Sequence, residues 1–200
     1  MNRQQQGYFW LGLAVVAAVI VGSVGYLSAS GDTPPVIGAL IWTGHLAFLV
    51  FQAPLFASPL RDLFPSPLTT RLLRYRRNAG VTYGGVQAVH LVVIGVMFSS
   101  LADPPVEVAM VIVEGIGIVL AMAMLWTSFE KPMRAIGTVN WRRIHRTGFH
   151  VFMFIYLYDF VVEPLLFDIP ILYPVHVTLL FFGMTLRTVS WVKSSPVTAS

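Results

Sequence analysis

An imidazole set among apolar residues can ligate a metal, pass a proton, or satisfy a hydrogen bond to a neighbouring helix. His45, His90, His150 and His176 fall inside long apolar runs of this chain, and His145 stands at the mouth of one, between Arg143 and Arg146. Glu114, in VIVEGIGIV, joins them inside a fourth run. A charged group at such a place costs roughly 2.5 to 3.5 kcal/mol on insertion scales, so each calls for a partner or a function. Cysteine is absent, which excludes disulfides, thiolate zinc sites, iron–sulfur clusters and cysteine nucleophiles and leaves any metal to His, Met, Tyr or carboxylate.

The runs that carry these residues are long enough to cross a bilayer. The 200 residues are 56% hydrophobic and 11% charged, with a mean hydropathy of +0.73. One soluble core of this size could not hide that much apolar surface. Stretches of about 20 apolar residues, the length that spans a hydrocarbon layer of about 30 Å, predict an all-α membrane bundle of six helices. They cover roughly Tyr8–Leu27, Val36–Phe56, Gly80–Ser99, Val108–Trp126, Gly148–Val162 and Ile171–Trp191. Residues 1–200 form a single transmembrane domain in this reading, with no internal repeat and no soluble module.

Charge orients the bundle. Arg61, Arg71, Arg74, Arg76 and Arg77 lie between the second and third runs, and Lys131, Arg134, Arg142, Arg143 and Arg146 between the fourth and fifth. Asp32, then Asp103 and Glu107, then Glu163 and Asp168 occupy the alternate connections. The positive-inside rule therefore puts the basic loops, with Arg3 and Lys193 near the termini, in the cytoplasm, an N-in and C-in topology. The net charge of +4 serves this orientation and does not point to nucleic acid, because the basic residues sit in short clusters between apolar runs.

Position then sorts the candidates. His90 stands thirteen residues after Arg77, about 20 Å along a helix at 1.5 Å per residue, near or beyond mid-membrane. It reads as a neutral imidazole bonded to another helix, or as an axial ligand to haem iron. His45 enters from the outer side at nearly the same depth and is a candidate partner for it. His145, at the cytoplasmic mouth, reads as an interfacial residue or as part of a haem site whose propionates pair with basic neighbours such as Arg146. His150 is turned about 140° from His145, so one helix face cannot present both. His176 reads as interfacial, and Glu114 as a bonded carboxyl or a proton-handling group. Arg76, Arg77, Arg142, Arg143 and Arg146 are expected to form a basic rim suited to haem propionates, anionic lipid or an acidic partner, or to serve as topological anchors alone.

Two segments, RLLRYRRNAGVTYGGVQAVHLVVIG and WRRIHRTGFHVFMFIYLYDFV, resemble the ferric reductase-like transmembrane domain, and most closely its bacterial sulfoxide reductase haem-binding subunit branch. WTGHLAFLVFQAPLFASPLRDLF is similar to that family's second helix running into a cytoplasmic turn. The resemblance covers about residues 36–162. It implies a multi-pass protein of the bacterial inner membrane, with haem b held between the third and fifth spans by His90 in the outer half and His145 nearer the cytoplasm. The family's second fifth-span histidine falls here on Tyr158, and Arg76 and Arg77 occupy the level of His145 on the third span. Tyr158 as a phenolate, His150 through a kink, or His45 from the second span are the three candidates to stand opposite His90.

The expected function is electron transfer across or within the membrane, as a subunit of an oxidoreductase. No Gly-rich dinucleotide motif is present, so electrons would come from quinol, a flavin or a separate reductase, and leave to a partner or small oxidant on the periplasmic side. The alternatives are a haem-free partner subunit on the same scaffold and a proton or small-solute carrier using Glu114 and the histidines.

Overall fold

Proline and serine punctuate the chain where the helices begin. The computed structural model describes residues 3–102, 108–162 and 173–194, and among them six α-helices carry nearly all the regular structure. α1 spans Arg3–Ser28, α2 Pro35–Leu63, α3 Pro67–Ser100, α4 Val108–Thr127, α5 Glu130–Leu157 and α6 Tyr173–Ser194, with a π-helical turn at Tyr158–Val162 continuing α5. Pro35 and Pro67 occupy first-turn positions, where a missing N–H costs nothing and the fixed φ suits the helix. Ser66 caps α3 with a reciprocal Ser66–Thr69 box, so only a few residues separate α2 from α3.

The helices overrun the expected spans on the basic side. α3 has 34 residues, about 51 Å at 1.5 Å per residue against a hydrocarbon layer of about 30 Å. Its first third, with Arg71, Arg74, Arg76 and Arg77, is an interfacial extension and not a loop. The same correction applies to α5, which begins at Glu130 and not at Gly148. Gly137, at φ 78°, breaks it and sets the polar segment carrying the Glu130–Arg134 ion pair apart from the membrane-directed part. Only glycine takes that backbone conformation without strain, so the bend is written into the chain at this residue.

Four helices are individually long and apolar enough to cross a membrane: Gln4–Ser28, Pro35–Leu63, Pro67–Ser100 and Pro174–Lys193. α4 and α5 pass only as one pair, bent by 111°. The apolar stretch of α4, Val111–Thr127, is short, and five Lys and Arg residues between Lys131 and Arg146 interrupt the apolar run of α5. The outer-loop acids Asp103, Glu107, Glu163 and Asp168, and the start of the sixth expected span at Ile171, lie outside the described residues.

Burial is turned inside out relative to a soluble bundle. Leu13, Val16, Ile20, Val92, Val119, Phe182 and Trp191 are exposed on the outer faces, where lipid is their solvent. Inside, rings fill the space: Phe48, Phe51, Tyr83, Phe149, Phe152, Tyr156 and Phe160 form one buried cluster with Ala14, Ala18 and Leu180. Phe51 stacks on Phe149 at 4.8 Å between ring centroids and ties α2 to α5. Small residues allow the closest approach, since packing and not hydrophobicity drives helices together in lipid. At the α1–α2 crossing Gly25 and Gly38 meet backbone to backbone, and a Cβ on either would strike the other's carbonyl.

The basic segments gather at one end of the bundle. Tyr8 of α1 stacks on Phe129 of the α4–α5 turn at 5.1 Å. Arg77 donates from Nε and Nη2 to the Ser128 carbonyl oxygen at 3.1 and 2.9 Å. Ser190 of α6 donates to Asp62 of α2 at 2.9 Å, and Arg76 of α3 donates to Ser58 at 2.9 Å. The opposite end joins the beginnings of α2 and α6 to the π-helical turn.

Candidate functional site

A hollow of about 80 Å³ opens between α2, α3, α4 and α5 in the half of the bundle away from the arginines. Each wall follows helical spacing. Gln87, His90, Leu91 and Ile94 come from one face of α3, Glu114, Gly117, Ile118 and Ala121 from one face of α4, and Phe152, Ile155, Tyr156 and Asp159 from one face of α5 and its π-helical end. Gly44 and Ala47 of α2 leave room where larger residues would fill it. Gly117 lets α4 and α5 close together, because a Cβ there would lie 2.7 Å from Ile155 Cδ1. The result is a mostly apolar site with a few convergent polar groups, the form small-molecule sites take.

His90 is oriented by its neighbour. Its Nδ1 lies 2.8 Å from Thr43 Oγ1, and that hydroxyl also lies 2.8 Å from the Ala39 carbonyl oxygen of its own helix. With the hydroxyl hydrogen on Ala39, His90 Nδ1–H donates and Nε2 keeps the lone pair; with it turned to His90, Nδ1 accepts and Nε2 carries the proton. A metal-ligating histidine needs the first arrangement, with one nitrogen fixed by a hydrogen bond and the other open to the ligand.

The floor of the hollow is a polar network that joins α3 to α5. Gln87 Nε2 donates to the hydroxyl of Tyr83 at 2.7 Å and to that of Tyr156 at 3.3 Å, and Tyr156 donates to Tyr83 at 3.1 Å. Both tyrosines are buried. A satisfied network of this kind holds its helices in one register.

The other expected site residues go elsewhere. His45 lies at the depth foreseen for it, yet it turns from His90 to α6, where its Nδ1 is 3.1 Å from His176 Nε2. Thr43 takes the place opposite His90. The two positions differ by about 200° around α2, so depth alone could not choose between them. His176 is buried in the bundle, stacked on Phe160 at 4.5 Å and close to Phe48 at 4.6 Å.

His145 is held on the basic side, with Nε2 3.2 Å from Thr127 Oγ1 and its ring 4.4 Å from that of Trp141. Thr127 donates to the Ala123 carbonyl oxygen at 2.7 Å, so His145 repeats the device seen at His90. His150 is exposed on the far face of α5 and donates from Nδ1 to the Arg146 carbonyl oxygen at 2.7 Å, as the 140° offset requires. Tyr158 begins the π-helical turn and is not among the residues lining the hollow; Tyr156 and Asp159 are. Arg77 grips the α4–α5 turn, and Arg146 is exposed.

Sequence reasoning missed Thr43, Gln87, Met122, Tyr156 and Asp159 in this site. Gln87 shares the face of His90 three residues on, and Asp159 falls seven residues after Phe152, so helical spacing was the available signal. Among the described residues no group of three or more His, Asp and Glu side chains is arranged to hold a bare metal ion. Haem iron asks for less. His90 and the thioether of Met122 would be the donors to it, between walls of Phe152 and Phe160, but a hollow of about 80 Å³ admits a macrocycle only if the helices part. The carboxyls of Glu114 and Asp159 are poor neighbours for propionates, which would have to turn away from them. In comparisons with known proteins, no family model, no curated protein and no solved structure matches the chain.

Proposed function

We propose that this chain is a six-span protein of the bacterial cell membrane, N-in and C-in, that moves electrons through a haem b ligated by His90. The observation that carries the reading is the Thr43 contact, which orients the His90 ring at Nδ1 and, in the tautomer where Nδ1 donates, leaves Nε2 for a ligand beside a hollow of about 80 Å³. The reading follows the resemblance of the two quoted segments to the ferric reductase-like domain, although no family model matches the chain. Bound haem would supply one-electron chemistry, and the protein's part is position and electrostatics. Phe152, Ile155 and Ile118 give the hollow apolar walls, while Gln87, Tyr83 and Tyr156 tie α3 to α5. Met122 is the side chain of the lining best able to stand as a second ligand. Electrons would arrive from quinol, a flavin or a separate reductase on the basic side and leave to a partner or small oxidant on the other.

A second reading, a proton or small-solute carrier, is favoured by Glu114 and Asp159, two carboxyls in the hollow at membrane depth. Absorbance of the purified protein, oxidised and dithionite-reduced, separates the two. The haem reading expects a b-type spectrum that His90→Ala abolishes, that His145→Ala lowers or shifts, and that His45→Ala and Tyr158→Phe leave in place. A pigment unchanged in His90→Ala refutes the ligand assignment. A colourless parent protein removes the haem reading and leaves the haem-free subunit and the carrier.

A further inference from the structure

A second cluster lies at the other end of the bundle, and its charges do not balance. Trp141, His145 and Phe149 follow one another at four-residue spacing on one face of α5. The guanidinium carbon of Arg187, from α6, sits 4.2 Å above the centre of the Phe149 ring. Arg76, from α3, lies within electrostatic range of both His145 and Arg187. Three helices thus direct two guanidiniums and an imidazole at one region. No carboxylate pairs with Arg76 or Arg187 among the described residues. The nearby carboxylate Asp62 accepts a hydrogen bond from Ser190 instead.

Two of the donors in this region are also unused. Arg187 Nη1 and Trp141 Nε1 are both shut off from solvent, and neither has a hydrogen-bond acceptor among the described residues. Buried donors are almost always satisfied, and Arg187, half-buried, has no carboxylate beside its charge, while Arg76 is exposed and donates to Ser58. A water molecule would serve the indole N–H but could not offset two guanidiniums. An oxyanion would do both, and arginine's planar fork suits phosphate oxygens. Basic pockets between membrane helices near an interface bind headgroups for this reason.

We infer that Arg76, Arg187, His145 and Trp141 form a binding site for a phosphate group, carried by an anionic lipid or free in solution. The site stands apart from the hollow around His90 and does not depend on haem being bound there.

The test uses the full chain, purified in neutral detergent and stripped of lipid. Thermal unfolding is followed against inorganic phosphate at constant ionic strength, with chloride as the control, and in vesicles of phosphatidylglycerol against phosphatidylcholine. The site predicts a rise in unfolding temperature with phosphate over chloride if a free anion suffices, or with phosphatidylglycerol alone if the headgroup must come on a lipid. Arg187→Gln and Arg76→Gln should each weaken the response by about tenfold or more, the size of one lost charge-assisted hydrogen bond. Arg71→Gln, on the exposed part of α3, should not. Without ligand, Arg187→Gln should unfold no earlier than the parent, because it removes an unpaired charge. Trp141→Phe, which keeps the ring and deletes the N–H, gives a second reading should Arg187→Gln fail to accumulate. His90→Ala must keep the full response, so failure of the haem assignment and failure of this one are distinguishable. No rise with either form of phosphate, or a full response in both Arg187→Gln and Arg76→Gln, overturns the inference.

Discussion

Replacing Thr43 by valine keeps the shape of the side chain and removes one hydroxyl, the partner of His90 Nδ1 at 2.8 Å. Thr43 is 0% exposed, so water cannot take the vacated place. A buried polar group left without a partner costs about 1 to 3 kcal/mol, and hydrogen bonds within membrane bundles average about 0.6 kcal/mol. Thr43→Val should therefore unfold earlier by about 0.6 to 3 kcal/mol, between those two measures. The effect on a ligand is separate. Orienting partners of a ligating histidine change metal affinity by about 10- to 100-fold, so haem should be retained that much more weakly in a titration followed by absorbance. Thr43→Ser, which restores the hydroxyl, should recover both. A Thr43→Val protein with parental stability and parental haem affinity would mean that His90 does not depend on this hydroxyl, and the orienting role of Thr43 would fall with it.

Gly38→Ala should destabilise by about 1 to 3 kcal/mol in denaturant unfolding, because its Cβ meets the Gly25 carbonyl and backbone cannot move aside, whereas Gly12→Ala, in open space, should be neutral or stabilising. Arg77→Gln loses two charged hydrogen bonds to the Ser128 carbonyl and should cost about 1.5 to 3 kcal/mol, with Arg77→Lys intermediate because an ammonium cannot make the fork; equal stabilities of the three proteins would refute the clamp. The chain has no native cysteine, so single cysteines introduced at Arg74 and Lys131 can be labelled selectively, and both should react only with reagents that reach the cytoplasm; labelling of either from outside would reverse the topology.

Much of the architecture was legible because it depends on local chemistry. Apolar length marked the helices long enough to cross a membrane, and the 3.6-residue period separated His145 from His150, whereas α3 begins at Pro67 and not at Gly80. Arg76 and Arg77, from one basic segment, lie at the same end of the bundle as the α4–α5 turn next to the other. The extent of α5 was not legible, since its polar start reads as loop until Gly137 is seen to break a helix and not to end one. Nor was the azimuth of any helix. In water an apolar stripe tells which face turns inward, but here lipid accepts apolar side chains as readily as the interior does, and the sequence carries no such stripe. Depth therefore brought His45 and His90 to one level, and only the packed bundle decided that Thr43 meets His90 while His45 meets His176. Tyr156 in place of Tyr158 at the hollow, and Arg187 over Phe149, were decided in the same way, by how far each helix is rotated against its neighbours.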